Sequence, residues 1–250
     1  ATPHLGASTT EAQEKVAEQV AEQMADYLLT GAVTNALNMA SLSAEEATRL
    51  RPYMLLAEQL GSFAGQATNS AIKQVTVSYE GACSELNFKP MTSVALQGLL
   101  SHLMEGINMV NASAIAKDRG INVKEVRSVD AGTYQSLISV EVVTENQTRS
   151  IKGTLFNKDP RVVEIKGITI DAKLGSNMLY ITNRDKPGLV GALGSILGDA
   201  GVNIATFQLG RDDEGGNAIA LIEIDSSPAP DLLGKLAEVE NIVQAIPMRF

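Results

Sequence analysis

Two histidines and one cysteine are the only side chains of their kinds in the 250-residue chain, and each stands apart from the others. His4, in TPHLG, lies where a strand would hand over to a helix, a frequent address for catalytic groups in α/β enzymes. No carboxylate precedes it to orient the ring. His102 sits beside Leu100 and Leu103 in an apolar helical run, which favours a structural place at a helix surface or packed edge over ligand contact. Cys83 follows a strand with no base nearby and reads as an inert, buried thiol rather than a nucleophile. With one Cys, two distant His and neither HxH nor HExxH, no metal site is expected. Neither GxGxxG nor GxxxxGK[ST] occurs, so no loop of the usual phosphate-gripping kind is present.

A later segment is richer. Gly188, Gly191, Gly194, Gly198 and Gly201 punctuate one short helix and its ends, although an interior helix glycine costs roughly 1 kcal/mol relative to Ala. Either this surface packs tightly on a sheet or a second subunit, or the turn NRDKPG presents backbone N–H groups at a helix N-terminus, where dipole and free donors favour a small carboxylate. In the second case Asn183, Asp185, Gly188 and Asn203 form a candidate effector site. Asp185 would take an ammonium group, and Asn203 would bridge both ends of the ligand. One anion receptor and one cation receptor within reach describe an amino acid; these are binding groups, not acid–base machinery.

The elements that must position these residues follow from periodicity. Residues 8 to 31 predict a helix with Ala12, Val16, Val20, Tyr27 and Leu28 on its apolar stripe, a Ser8–Glu11 capping box and Gly31 as its stop. Such a helix packs either on this chain or on a domain lying upstream. Ser43 and Glu46 open a second helical run, which Pro52 interrupts or bends. IKQVTVSYEG alternates as a strand, 91 to 116 is helical with a break near Asn108 and Asn111, and five short strands with turn-rich joints follow. Residues 72 to 174 therefore predict an α+β domain with a mostly antiparallel sheet. From Met178 the order is β-α-β-β-α-β, the ferredoxin-like split unit. Its helices cover one sheet face and leave the other open, with Ile204, Phe207, Leu221 and Ile246 available for pairing with another copy.

Composition narrows the classes. Apolar residues make up 44% of the chain and charged residues 20%, enough to hold a fold by burial alone. The net charge of -9 gives no basic surface for nucleic acid or an anionic membrane, and no window supplies the ~20 apolar residues of a membrane span. One cysteine and no readable secretory signal predict a cytoplasmic setting.

The last 73 residues, with xNRDKPGLVGALGSILGDAGVNI between strands, resemble an ACT domain, the small-molecule-sensing module that usually regulates amino-acid enzymes. TPHLGASTTEAQ resembles the end of the nucleotide-binding domain in the long-form D-3-phosphoglycerate dehydrogenases of the D-2-hydroxyacid dehydrogenase family. NFKPMTSVALQGLLSHLMEGINMVNASAIAKDRGI is similar to their intervening, allosteric substrate-binding domain. The resemblance implies residues 1–40 as a remnant of the catalytic region, 41–175 as the intervening domain and 176–250 as the ACT domain, with about 280 further residues upstream. It implies that His4 is the catalytic acid/base of an NAD-dependent parent in the first step of L-serine biosynthesis, and that this chain alone is inactive and binds no NAD. It also implies a homodimer or homotetramer, with L-serine or a similar amino acid at the ACT interface through Asn183, Asp185 and Asn203. Asn183 stands where serine-inhibited relatives have His or Tyr. The resemblance further implies an anionic effector or phosphorylated substrate in the intervening domain, with Arg149, Lys152, Arg161 and Lys166 as candidates. The alternative is a stand-alone amino-acid sensor, such as the regulatory subunit of an L-serine dehydratase.

Overall fold

The computed structural model describes residues 6, 8–38 and 41–250. The chain divides into two units, Ala1–Arg51 and Pro52–Phe250. In the first, helix α1 (Thr10–Thr30) is capped by Thr9, whose hydroxyl accepts from the Ala12 amide at 3.1 Å. The cap is therefore Thr9, not Ser8, and with Ala12 three residues on there is no reciprocal Glu to complete a box. Gly31 ends the helix at φ +79°, its amide donating to the Tyr27 carbonyl. No residue of α1 is buried, and Val16, Val20, Tyr27 and Leu28 remain exposed. Ser43 and Glu46 do form their capping box: the Ser43 amide donates to Glu46, and the Glu46 amide to the Ser43 hydroxyl. Helix α2 (Ala44–Gln66) runs through Pro52 without interruption.

The second unit contains two sheets. The larger is built from β1 (Ile72–Gly81), β2 (Asn122–Ser128), β3 (Ser136–Thr144), β4 (Thr148–Phe156), β5 (Asp159–Ile165) and β6 (Ile168–Ala172), in the order β2-β1-β3-β4-β5-β6. Only β1 and β2 pair in parallel, and the crossover that parallel pairing requires is supplied by α3 (Lys89–Ser101) and α4 (Ala112–Asp118). The break between these helices falls where the asparagines predict it. Asn108 Oδ1 accepts from the amides of Val110 and Asn111, and Asn111 Oδ1 from the Asn108 amide, so side chains replace the helical ladder. Leu56 and Leu60 of α2 lie over Gly153 of β4. Between α2 and α3 the backbones meet directly: a Cβ on Gly61 or Gly98 would overlap the carbonyl of Ala95 or Glu58.

The smaller sheet contains β7 (Met178–Arg184), β8 (Ile204–Arg211), β9 (Asn217–Ile224) and β10 (Ile242–Met248), ordered β10-β7-β9-β8 and antiparallel throughout. With α5 (Leu189–Asp199) and α6 (Pro230–Ala237) on one face, this is the β-α-β-β-α-β arrangement. Leu193, Leu197, Leu232 and Leu236 from the helices close over Leu179, Ile181, Ala220 and Ile222.

The opposite face departs from expectation. Ile204 and Phe207 pack into the helix-side core, Leu221 is fully buried, and Ile246 is half-buried. The reason is cover supplied by the same unit. Phe63 of α2 meets Tyr180 of β7 edge-on at 4.9 Å, and Gly210 of β8 lies so close to the Thr169 carbonyl of β6 that no Cβ would fit. Gln66 closes the seam by pairing both ways with Arg249, accepting from its amide and donating to its carbonyl, each at 2.9 Å.

Candidate functional site

The chain leaves β7 at Arg184 and enters α5 at Leu189 through Asp185, Lys186, Pro187 and Gly188. Pro187 removes a donor just before the helix. Gly188 takes φ +96°, a conformation a side chain rarely adopts, and provides the cap. No side chain caps α5, so its first-turn amides are left to solvent or a ligand. Beside this turn lies a cavity of about 440 Å³ whose wall includes Asn183, Asp185, Gly188, Val190, Leu209 and Arg211.

Three of the four candidate effector residues are thus brought together, and the fourth is not. Asn183 is buried, donates through Nδ2 to the Arg184 carbonyl at 2.9 Å, and keeps a buried Oδ1 without a partner. Asp185 accepts from Arg211 Nη1 at 2.7 Å and from the Gly215 amide at 3.2 Å; these two bonds, the first above all, hold its carboxyl below the usual carboxylate range. Asn203 lies outside the cavity wall and donates to Asp225 Oδ2 at 2.9 Å. Its pairing there follows from position: it precedes β8 at the sheet end remote from the β7–α5 turn. Arg211 escaped the sequence reading because only the β7-β9-β8 strand order brings it to Asp185, and linear spacing carries no trace of that order.

The outer glycines of α5 are also informative. Added Cβ atoms at Gly191, Gly194 and Gly198 would meet nothing within 4 Å, so no part of the described chain makes the close approach expected there.

Of the basic candidates in the larger sheet, Lys152 pairs with Glu164 at 3.0 Å and Arg161 with Asp171 at 3.1 Å. Arg149 is buried, with Nε and Nη1 unpartnered, and shares a small cavity with Lys166. Burial, followed by the neighbouring Arg149, lowers the Lys166 pKa.

His4 lies outside the described residues. His102 caps the end of α3, with Nε2 2.8 Å from Ser62 Oγ, and its pKa is lowered by partial desolvation. Cys83 is buried, its thiol donating to the Glu80 carbonyl at 3.2 Å, and burial raises its pKa. Among the described residues no helix is long and apolar enough to cross a membrane.

Comparison with known proteins matches residues 49–166 to the D-3-phosphoglycerate dehydrogenase intervening domain and 177–241 to the ACT domain. The chain thus carries a match to each of these two domain families, one after the other. The intervening-domain match covers β1 to β5 of the larger sheet, and the ACT match covers β7, α5, β8, β9 and α6 with the cavity at Asp185. Proteins named D-3-phosphoglycerate dehydrogenase are similar over nearly the whole chain. The Bacillus subtilis protein is 36% identical over 97% of this chain and 47% of its own length. That of Methanocaldococcus jannaschii is 36% identical over 96% and 46%, and that of Synechocystis 38% identical over 100% and 46%. The chain thus spans about half the length of the curated relatives it matches.

Proposed function

We propose that the chain is the regulatory and assembly portion of an NAD-dependent D-3-phosphoglycerate dehydrogenase, which oxidises 3-phosphoglycerate to 3-phosphohydroxypyruvate in L-serine biosynthesis. The observation that carries this reading is the joining of an intervening domain to an ACT domain, in a chain that aligns end to end with dehydrogenases so named. The same alignment weighs against a free-standing sensor of the serine dehydratase kind. The described residues do not suit a dinucleotide. The single parallel crossover among them, from β1 to β2, enters α3 through Phe88, Lys89 and Pro90 with no glycine-rich turn. No step through NAD is assigned to this chain, and His4 serves as the acid/base of the complete enzyme.

The ACT cavity is the effector site for a small L-amino acid, serine first. The uncapped amides of α5 and the Arg211 guanidinium receive the ligand carboxylate, and Asp185 receives the ammonium group. The vacant buried Oδ1 of Asn183 is a further acceptor on the same wall. Two copies of the chain associate through their ACT domains, supported by the open glycine surface of α5 and by exposed Val190, Leu209 and Val243.

Three measurements test this reading. The 250-residue chain should show no turnover with 3-phosphoglycerate and NAD, while the complete enzyme should lose several orders of magnitude in kcat on His4→Ala. Sedimentation equilibrium at micromolar concentration should give a dimer or larger. Calorimetric titration should show heat with serine, glycine or alanine. Turnover by the isolated chain, near-normal activity of the His4→Ala enzyme, a strictly monomeric mass, or silence with every amino acid at millimolar concentration would each remove the corresponding part.

A further inference from the structure

At the seam between the two domains, the buried Arg149 and Tyr180 and the exposed Lys166 line one cavity without partners of opposite charge. Arg149 stands on β4 opposite Val142 of β3 and is only 7% exposed, yet its Nε and Nη1 make no hydrogen bond, and no ion pair among the described residues involves it. Tyr180 of β7 comes from the ACT domain, is 1% exposed, and its hydroxyl is likewise unpartnered. Lys166 is held beside them by the tight β5–β6 turn, at φ +52°, with its amide donating to the Ser150 carbonyl at 2.9 Å. All three line one cavity whose remaining wall is largely apolar, with Phe63, Val140 and Ile165 among its residues and no carboxylate.

Guanidinium and ammonium groups only donate hydrogen bonds, so the cavity presents donors converging from two domains and a net positive charge with no counter-charge. The Arg149 cation, buried in this way, is strongly disfavoured unless something compensates it. A water molecule would fill donor valence but leave the charge. The free volume, about 10 Å³, admits the centre of one water-sized sphere, which excludes a phosphate ester or an amino acid without rearrangement.

We infer that this seam binds a single halide-sized anion, held by Arg149 and the Tyr180 hydroxyl in the field of Lys166, and that the anion ties the intervening domain to the ACT domain. The site shares no residue with the cavity at Asp185, and it does not depend on the function proposed for that cavity.

The energetic link follows. A ligand that binds the docked arrangement and not the separated or unfolded one stabilises docking in proportion to the logarithm of its concentration above Kd. Desolvation lowers the Arg149 pKa and raises that of Tyr180 to about 12, so both remain protonated donors at neutral pH.

The test uses the 250-residue chain in sodium bromide or sodium gluconate at equal ionic strength. Bromide is expected to raise the thermal midpoint progressively, and crystals grown with bromide should show an anomalous peak between the Arg149 guanidinium and the Tyr180 hydroxyl. Tyr180→Phe should weaken bromide roughly tenfold through one lost donor, and Lys166→Gln should weaken it less. Arg149→Met should abolish the response; if that variant does not fold, Tyr180→Phe and Lys166→Gln still decide the matter. Equal midpoints in the two salts, no anomalous peak at the seam, or a bromide response undiminished in both Tyr180→Phe and Lys166→Gln would overturn the site.

Discussion

Arg211 Nη1 and Asp185 Oδ2 meet at 2.7 Å on the wall of the ACT cavity, so the carboxylate suited to an ammonium group is already engaged by a guanidinium. The Asp185 side chain is 29% exposed and that of Arg211 56%, which makes this a surface pair of modest strength that a ligand can share or open. A zwitterion matches both members at once, whereas a simple carboxylate or amine matches one and repels the other.

Asp185→Ala is accordingly expected to weaken serine binding at least thirtyfold. Arg211→Met should weaken it as well, and Asp213→Ala, on the exposed hairpin, should leave it unchanged. Calorimetric titration of the three variants checks the order.

The pH dependence of the same site follows from the direction of the Asp185 shift. Its carboxyl is held below the ordinary value by Arg211 and the Gly215 amide, so it stays ionised as pH falls through the range where free carboxylates protonate. Serine affinity should therefore be flat from pH 8 to about pH 5 and decline only below about pH 4. Titrations at several pH values would show an early decline if the pair did not form.

Gly194→Ala separates two environments for α5. With open space at that position, alanine should stabilise the isolated subunit by about 1 kcal/mol through helix propensity. Where a second copy packs on the glycines, the same methyl should weaken the dimer. Melting at low concentration together with sedimentation at high concentration resolves the two effects, and both are expected.

Gly98→Ala should do the opposite to stability. Its Cβ would overlap the Glu58 carbonyl, a main-chain atom that cannot turn aside, so α2 and α3 must separate. The expected loss is about 3 kcal/mol, the upper end for overpacking a well-filled contact, read by denaturant unfolding.

His102 adds a weak dependence of stability on pH. Its folded pKa lies below the unfolded value near 6.5, so between the two the unfolded chain binds more protons. Stability is then full above pH 6.5 and falls as pH drops below it. His102→Gln should flatten that part of the profile in thermal melts between pH 5 and 8.

How much of this was legible in the sequence depended on whether a feature was local. Strand alternation, the Ser43–Glu46 box, the asparagine break and the β-α-β-β-α-β order are all written within a few residues of where they act. The grouping of Asn183, Asp185 and Gly188 was likewise local, because one turn contains them. Arg211 and Asn203 were not, since their partners depend on strand order and on which end of β8 each occupies. The covered face of the ACT sheet was the larger miss. Leu221 and Ile246 read as exposable until Phe63, more than a hundred residues earlier, is seen against Tyr180 on that face. Glycine had opposite meanings at two places: on α5 it marks open surface, and at Gly61 and Gly98 it marks contact between backbones.

The approach of Gly210 to Thr169, with the two-way pairing of Gln66 and Arg249, bears on how such chains can be recombined. An ACT domain is commonly imagined as a portable module, joined by a linker and exchangeable among hosts. Here one partner in each contact belongs to the host, and the fit leaves no room even for a methyl group at Gly210. A transplanted ACT domain that brings a larger residue to this position would stand away from its new host and lose registry at Phe63 and Tyr180 as well. Host and sensor in this lineage should therefore change together, and working chimeras should be those whose exchanged segment includes both sides of the seam.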